Sequence, residues 1–66
     1  MARYFFEAHY HGATVTDEIG EEFATLEKAE AYAALVAREL ARNDSAKVTV
    51  NVLSPDRALL AKTASG

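Results

Sequence analysis

The sequence contains no cysteine, so no disulfide or thiolate zinc site can hold the fold together, and thiol nucleophiles are excluded. Serine is scarce: Ser45, Ser54 and Ser65 fall in expected loops or the tail, which leaves no scaffold for a Ser-His-Asp arrangement. The three glycines, Gly12, Gly20 and Gly66, stand far apart, and none belongs to a Gly-rich strand-to-helix loop that could cradle a phosphate. Bases are outnumbered, seven Lys and Arg against ten Asp and Glu, and they are scattered at Arg3, Lys28, Arg38, Arg42, Lys47, Arg57 and Lys62. No basic stripe results, so a nucleic-acid partner is not expected. No apolar run approaches the ~20 residues of a membrane span, and the start lacks the charged flank and apolar core of a signal peptide. The expectation is a soluble cytoplasmic protein with no membrane contact and no cofactor.

With 66 residues the chain makes a single domain, 1–66, near the lower size at which one core suffices. Without staples, its stability must come from packing, supplemented by self-association. What is present begins at Arg3-Tyr4-Phe5-Phe6, too much ring surface to leave in water. Over 3–11 the residues alternate, with Tyr4, Phe6, Ala8 and Tyr10 on one face and Arg3, Phe5, Glu7, His9 and His11 on the other, which predicts a half-buried strand over 3–10. A tight loop at His11-Gly12 then pairs Tyr10 with Ala13, His9 with Thr14 and Ala8 with Val15 in a second strand over 13–17. That register puts Val15 on the buried face.

Asp17 to Ala24 reads as an acidic connection turning at Gly20, with Ile19 and Phe23 tucked inward. Thr25 is the expected N-cap of a helix over 25–42, whose apolar positions Leu26, Ala29, Ala33, Val36, Ala37 and Leu40 recur at helical spacing. Arg38 and Arg42 suit its negative end, and Asn43-Asp44-Ser45 its stop. A second hairpin follows, with strands over 47–53 and 58–63 joined by Ser54-Pro55-Asp56-Arg57. A type I turn there sets Val52 beside Leu59 and Val50 beside Ala61. Residues 64–66 are expected to fray. These elements predict an α+β fold, a ββαββ two-layer sandwich in which one helix covers a four-stranded antiparallel sheet of order 2-1-3-4.

The opening Met-x-Arg-Tyr-Phe-Phe, Gly12, Asp17-x-x-Gly20, the helix ending Ala37-Arg38-Glu39-Leu40 and the final hairpin with Asp56-Arg57 carry a resemblance across essentially the whole chain. The sequence resembles a family of very small uncharacterised bacterial proteins, common in rhizobia and their relatives, a domain of unknown function. The resemblance implies a lone ββαββ domain and no catalytic residue or cofactor. Glu7 stands where that family often has histidine, and Pro55-Asp56 where it often has glycine. The first departure speaks against a shared histidine site.

Two functional readings follow from the residues themselves. The outer sheet face carries Phe5, Leu53 and Leu60, and an apolar outer face on a marginal domain points to an interface. The expected function is accordingly a small non-enzymatic protein-interaction module, a homodimer or a binder of another protein, associating through that face or an edge strand. The alternative is a metal- or small-ligand-binding protein using Glu7, His9 and His11, because His-x-His on a strand can aim two imidazoles at one ion. Acid-base catalysis by Asp17-Glu18 or Glu21-Glu22 has no desolvated cleft to work in, and no enzymatic activity is expected.

Overall fold

In a computed structural model, which describes residues 1–44 and 47–65, one helix lies on a five-stranded antiparallel sheet. The elements are β1 (Ala2–Tyr10), β2 (Ala13–Thr16), β3 (Glu21–Phe23), α1 (Leu26–Asp44), β4 (Val48–Leu53) and β5 (Leu59–Ser65). The sheet runs β2-β1-β4-β5, and β3 lies off this path, paired with β1. Five strands stand where four were expected, because the acidic connection is itself partly strand. Asp17 folds its carboxylate back onto the amides of Ile19 and Gly20, both 3.0 Å away, and Gly20 takes φ +81°. This returns the chain to β1, where Glu21 and Glu22 pair with Tyr4 and Arg3. β2 and β3 thus share one edge of β1, β2 along Glu7 to Tyr10 and β3 along Ala2 to Tyr4.

His11 and Gly12 both have positive φ, +54° and +71°, as a type I′ hairpin turn requires. The register is Tyr10 with Ala13, His9 with Thr14 and Ala8 with Val15. In the second hairpin the expected register is corrected. Arg57 N–H does donate to Ser54 C=O at 2.8 Å, closing the turn, but Arg57 then enters the left-handed region at φ +71° and the strands close on Ser54 and Ala58 instead. A register shift between Val52 and Leu53 leaves Leu60 unpaired, so Val52 faces Ala61 and Val50 faces Thr63. Two extra residues keep the parity of the faces while moving Leu59 opposite Leu53, and Leu59 is exposed rather than buried. Ala64 and Ser65, expected to fray, pair with Thr49 and Val48. Gly66 and Ser45, the last residue of the expected helix stop, lie outside the described residues.

Thr25 caps α1, its hydroxyl accepting from Lys28 N–H at 3.2 Å. Ala29, Ala33, Ala37 and Ala41 form the buried stripe of the helix and meet Val48, Val50 and Val52 together with Tyr4, Phe6 and Ala8. A stripe of methyl groups lets the helix approach the sheet closely, and it yields a thin core whose largest fully buried side chains are three valines. Around it Phe6, Phe23 and Tyr32 make a mutual aromatic cluster, with ring centroids 5.2–6.1 Å apart. The helix backbone lies chiefly over β4 and β5 and meets β1 mainly through longer side chains such as Tyr32 on Phe6. That offset creates the site described next.

Candidate functional site

Because α1 sits mainly over β4 and β5, the inner face of β2 is left open on the helix side, while Tyr4, Phe6 and Ala8 of β1 stay buried. A groove of about 420 Å³ runs there between the helix and the edge of the sheet. The sheet supplies Phe6, Ala8, Tyr10 and Val15, the helix supplies Tyr32, Val36 and Leu40, and the turn after β2 supplies Asp17, Ile19 and Gly20. Tyr32 meets Phe6 with ring centroids 5.2 Å apart, which fixes one end. Eight helical steps from Tyr32 to Leu40 rise about 12 Å, and four strand steps from Phe6 to Tyr10 about 13 Å, so the two walls are matched in length.

Val15 has the predicted register but is 54 % exposed, and Ile19, expected to tuck inward, is 78 % exposed. The helix is not wide enough to cover β2, and the Asp17 turn carries Ile19 outward. Sequence alternation says which face a residue takes and nothing about how far across the sheet a helix reaches. The signal available was the asymmetry of the helix, with alanine along its centre and Tyr32, Val36 and Leu40 on one flank.

The outer face is more closed than its sequence implies. Leu53 is only 7 % exposed. Phe5 is half-buried beneath the Arg57 guanidinium, 4.7 Å from its ring centroid, and Arg57 also donates to the Asp17 carbonyl at 3.4 Å. Leu60 is exposed, at the unpaired position of β5.

Glu7 and His9 do come together, and their neighbours show what for. His9 Nε2 lies 2.8 Å from Glu7 Oε1 and His9 Nδ1 lies 3.1 Å from Thr14 Oγ1. With the ring proton on Nε2, that N–H donates to the carboxylate and Nδ1 accepts from the threonine hydroxyl. Both nitrogens are committed. Asn51 Nδ2 adds a bond to Glu7 Oε1 at 3.4 Å, while its Oδ1 is buried without a partner. His11 is turned away by its positive φ and lies beside the Tyr10 ring, with centroids 5.8 Å apart. Among the described residues no group of three His, Cys, Asp or Glu could hold a metal ion.

Two expected results test this network. The hydrogen bond from His9 is the main cause holding the Glu7 carboxyl below its ordinary value of 4.5. A depressed folded-state value means that stability is fully present above the unfolded pKa and lost as pH falls through the folded one. Thermal melts between pH 6 and roughly 3 should show wild type losing more than Glu7→Gln, and parallel curves would remove the linkage. His11→Asn, which suits a type I′ turn, should leave stability equal or raise it by up to about 0.5 kcal/mol. Excess Zn²⁺ should leave both melting temperatures unmoved. A zinc-dependent rise in wild type absent from the variant would restore His11 as a ligand.

Among the described residues no helix is long and apolar enough to cross a membrane. Comparison with curated proteins and with solved structures finds no match. A protein family does match, over residues 3–64, nearly the full length, spanning β1, the groove walls and almost all of β5. The chain therefore belongs to the family described as a domain of unknown function, DUF6894.

Proposed function

We propose that the protein is a small non-enzymatic interaction module that self-associates, and that it does so through the helix-side groove. The observation that carries this reading is the groove itself, bordered by Val15, Ile19 and Tyr32, which are 54 %, 78 % and 39 % exposed. Single exposed apolar residues are ordinary, but a contiguous set lining a concavity beside a thin core is an interface pattern. A thin core, built largely of alanines and valines, also gains from further burial, and a second copy is a partner always present at the chain's own concentration. The groove is preferred to the outer face because there Leu53 is buried and Phe5 is capped by Arg57, which leaves Leu59 and Leu60 exposed but lining no sizeable concavity among the described residues.

Sedimentation equilibrium combined with melts over a concentration series tests the reading. A dimer is expected, with a melting temperature that rises with protein concentration. Val15→Glu should dissociate it without loss of secondary structure, since Val15 lies on an exposed edge strand. A wild type that stays monomeric at about 1 mM, a free energy of association weaker than about 4 kcal/mol, would overturn self-association.

A further inference from the structure

We infer that the groove of each copy receives Ile19 of a second copy, in an antiparallel pairing about a two-fold axis; this rests on the self-association reading above. Ile19 is the most exposed apolar side chain after Met1 among the described residues, yet its backbone is held from three directions. Its amide donates to Asp17 Oδ1 at 3.0 Å, its carbonyl accepts from Arg3 Nη1 at 2.9 Å, and the adjoining Gly20 is buried against β1. A β-branched side chain is thereby presented to water on a fixed turn, at little further entropic cost on binding.

Knob and groove lie on the same surface, which is what a two-fold interface demands, because one patch must complement itself. The chain order fixes the geometry. Asp17 N–H donates to the Phe6 carbonyl, so the Ile19 turn stands at the Phe6–Tyr32 end, while the β1–β2 turn places Tyr10 and Leu40 at the other. Two grooves facing each other antiparallel set each Ile19 over the partner's far end.

Charge selects that orientation over the parallel one. The Ile19 end carries Asp17, Glu18, Glu21 and Glu22 against Arg3 and Arg57, an excess of two acids. At the far end lie the last turns of α1 and the start of β4, a stretch whose sequence has three bases, Arg38, Arg42 and Lys47, against two acids. Antiparallel pairing brings the acidic turn to the more basic end, whereas parallel pairing would oppose two acidic turns, and like charges across an interface are unfavourable.

The test uses the chain's lack of cysteine. Ile19→Glu should raise the dimer dissociation constant by more than about 100-fold, since two isoleucines are lost per dimer and each buried aliphatic is worth roughly tenfold or more. Far-UV circular dichroism should be unchanged. The double variant Ile19→Cys with Leu40→Cys should oxidise to a covalent dimer on a non-reducing gel, and Ile19→Cys alone should not. Should Ile19→Glu fail to fold, the cysteine pair decides, and absence of its cross-link overturns the inference. Dissociation by Val15→Glu with Ile19→Glu still dimeric would leave the groove as interface and remove Ile19 as its occupant. If both variants stay dimeric, the groove reading itself falls.

Discussion

Phe6→Ala is expected to remove about a third or more of the domain's stability, whereas Phe5→Ala next to it should leave the fold intact. Phe6 is 8 % exposed, makes edge-to-face contacts with Phe23 and Tyr32 at 6.1 and 5.2 Å, and pairs with Val52. Truncating a buried phenylalanine costs about 3–5 kcal/mol, against a total of roughly 3–10 kcal/mol for a domain of this length. The core offers little compensation, since alanines along α1 cannot move in to fill the space. Phe5 is half-buried and its principal specific partner is the Arg57 guanidinium, an interaction of about 0.5–1 kcal/mol at an accessible site. Urea denaturation of both variants decides the matter. Equal losses would mean that the two rings do not divide between a core face and an outer face.

Gly20→Ala should cost about 2–4 kcal/mol, from a left-handed backbone penalty of roughly 1–2 and an overpacking penalty of similar size. At φ +81° a Cβ would lie 2.9 Å from the Tyr4 carbonyl oxygen, 3.0 Å from Arg3 Cγ and 3.1 Å from Phe5 Cε2. The first of these is backbone within the β1–β3 ladder and cannot yield without breaking it. Gly12→Ala is the internal control. Its φ is +71°, but a Cβ there meets nothing within 4 Å, so only the conformational penalty of about 1–2 kcal/mol applies. The excess cost at Gly20 therefore measures the steric contact alone, and matching losses at the two glycines would show that the Asp17 turn does not press on β1.

These two predictions divide along the line between what a sequence displays and what it conceals. The alternation of Tyr4, Phe5, Phe6 and Glu7 and the pairing through His11-Gly12 were legible, because strand parity and the geometry of a two-residue turn are local properties. The helix and its Thr25 cap were legible for the same reason. β3 was not: its three residues, Glu21, Glu22 and Phe23, have no strand signature, and they pair only because Asp17 and Gly20 turn them back onto β1. The second hairpin misled because Pro55 announces a turn without saying how many residues it consumes. Arg57 and Leu60 each add one, which sets Leu59 opposite Leu53, leaves Leu60 unpaired and exposes both.

The candidate site followed the same division. Glu7 and His9 were correctly placed on one face, but only their contacts with Thr14 and Asn51 reveal a closed hydrogen-bond network in which both imidazole nitrogens are engaged. The groove was signalled only by the Tyr32, Val36 and Leu40 flank of the helix, since it is made by an offset of α1 toward β5 that no residue encodes by itself. Sequence alone determined the class of fold, the helix, the two hairpins and the two faces of β1, because these depend on neighbours within a few positions along the chain. Tertiary structure alone decided that uncovered apolar surface lies beside the helix, at Val15 and Ile19, as well as at Leu59 and Leu60 of β5. Where a helix rests depends on the summed packing of Ala29, Ala33 and Ala37 against Val48, Val50 and Val52, a balance set across elements distant in sequence.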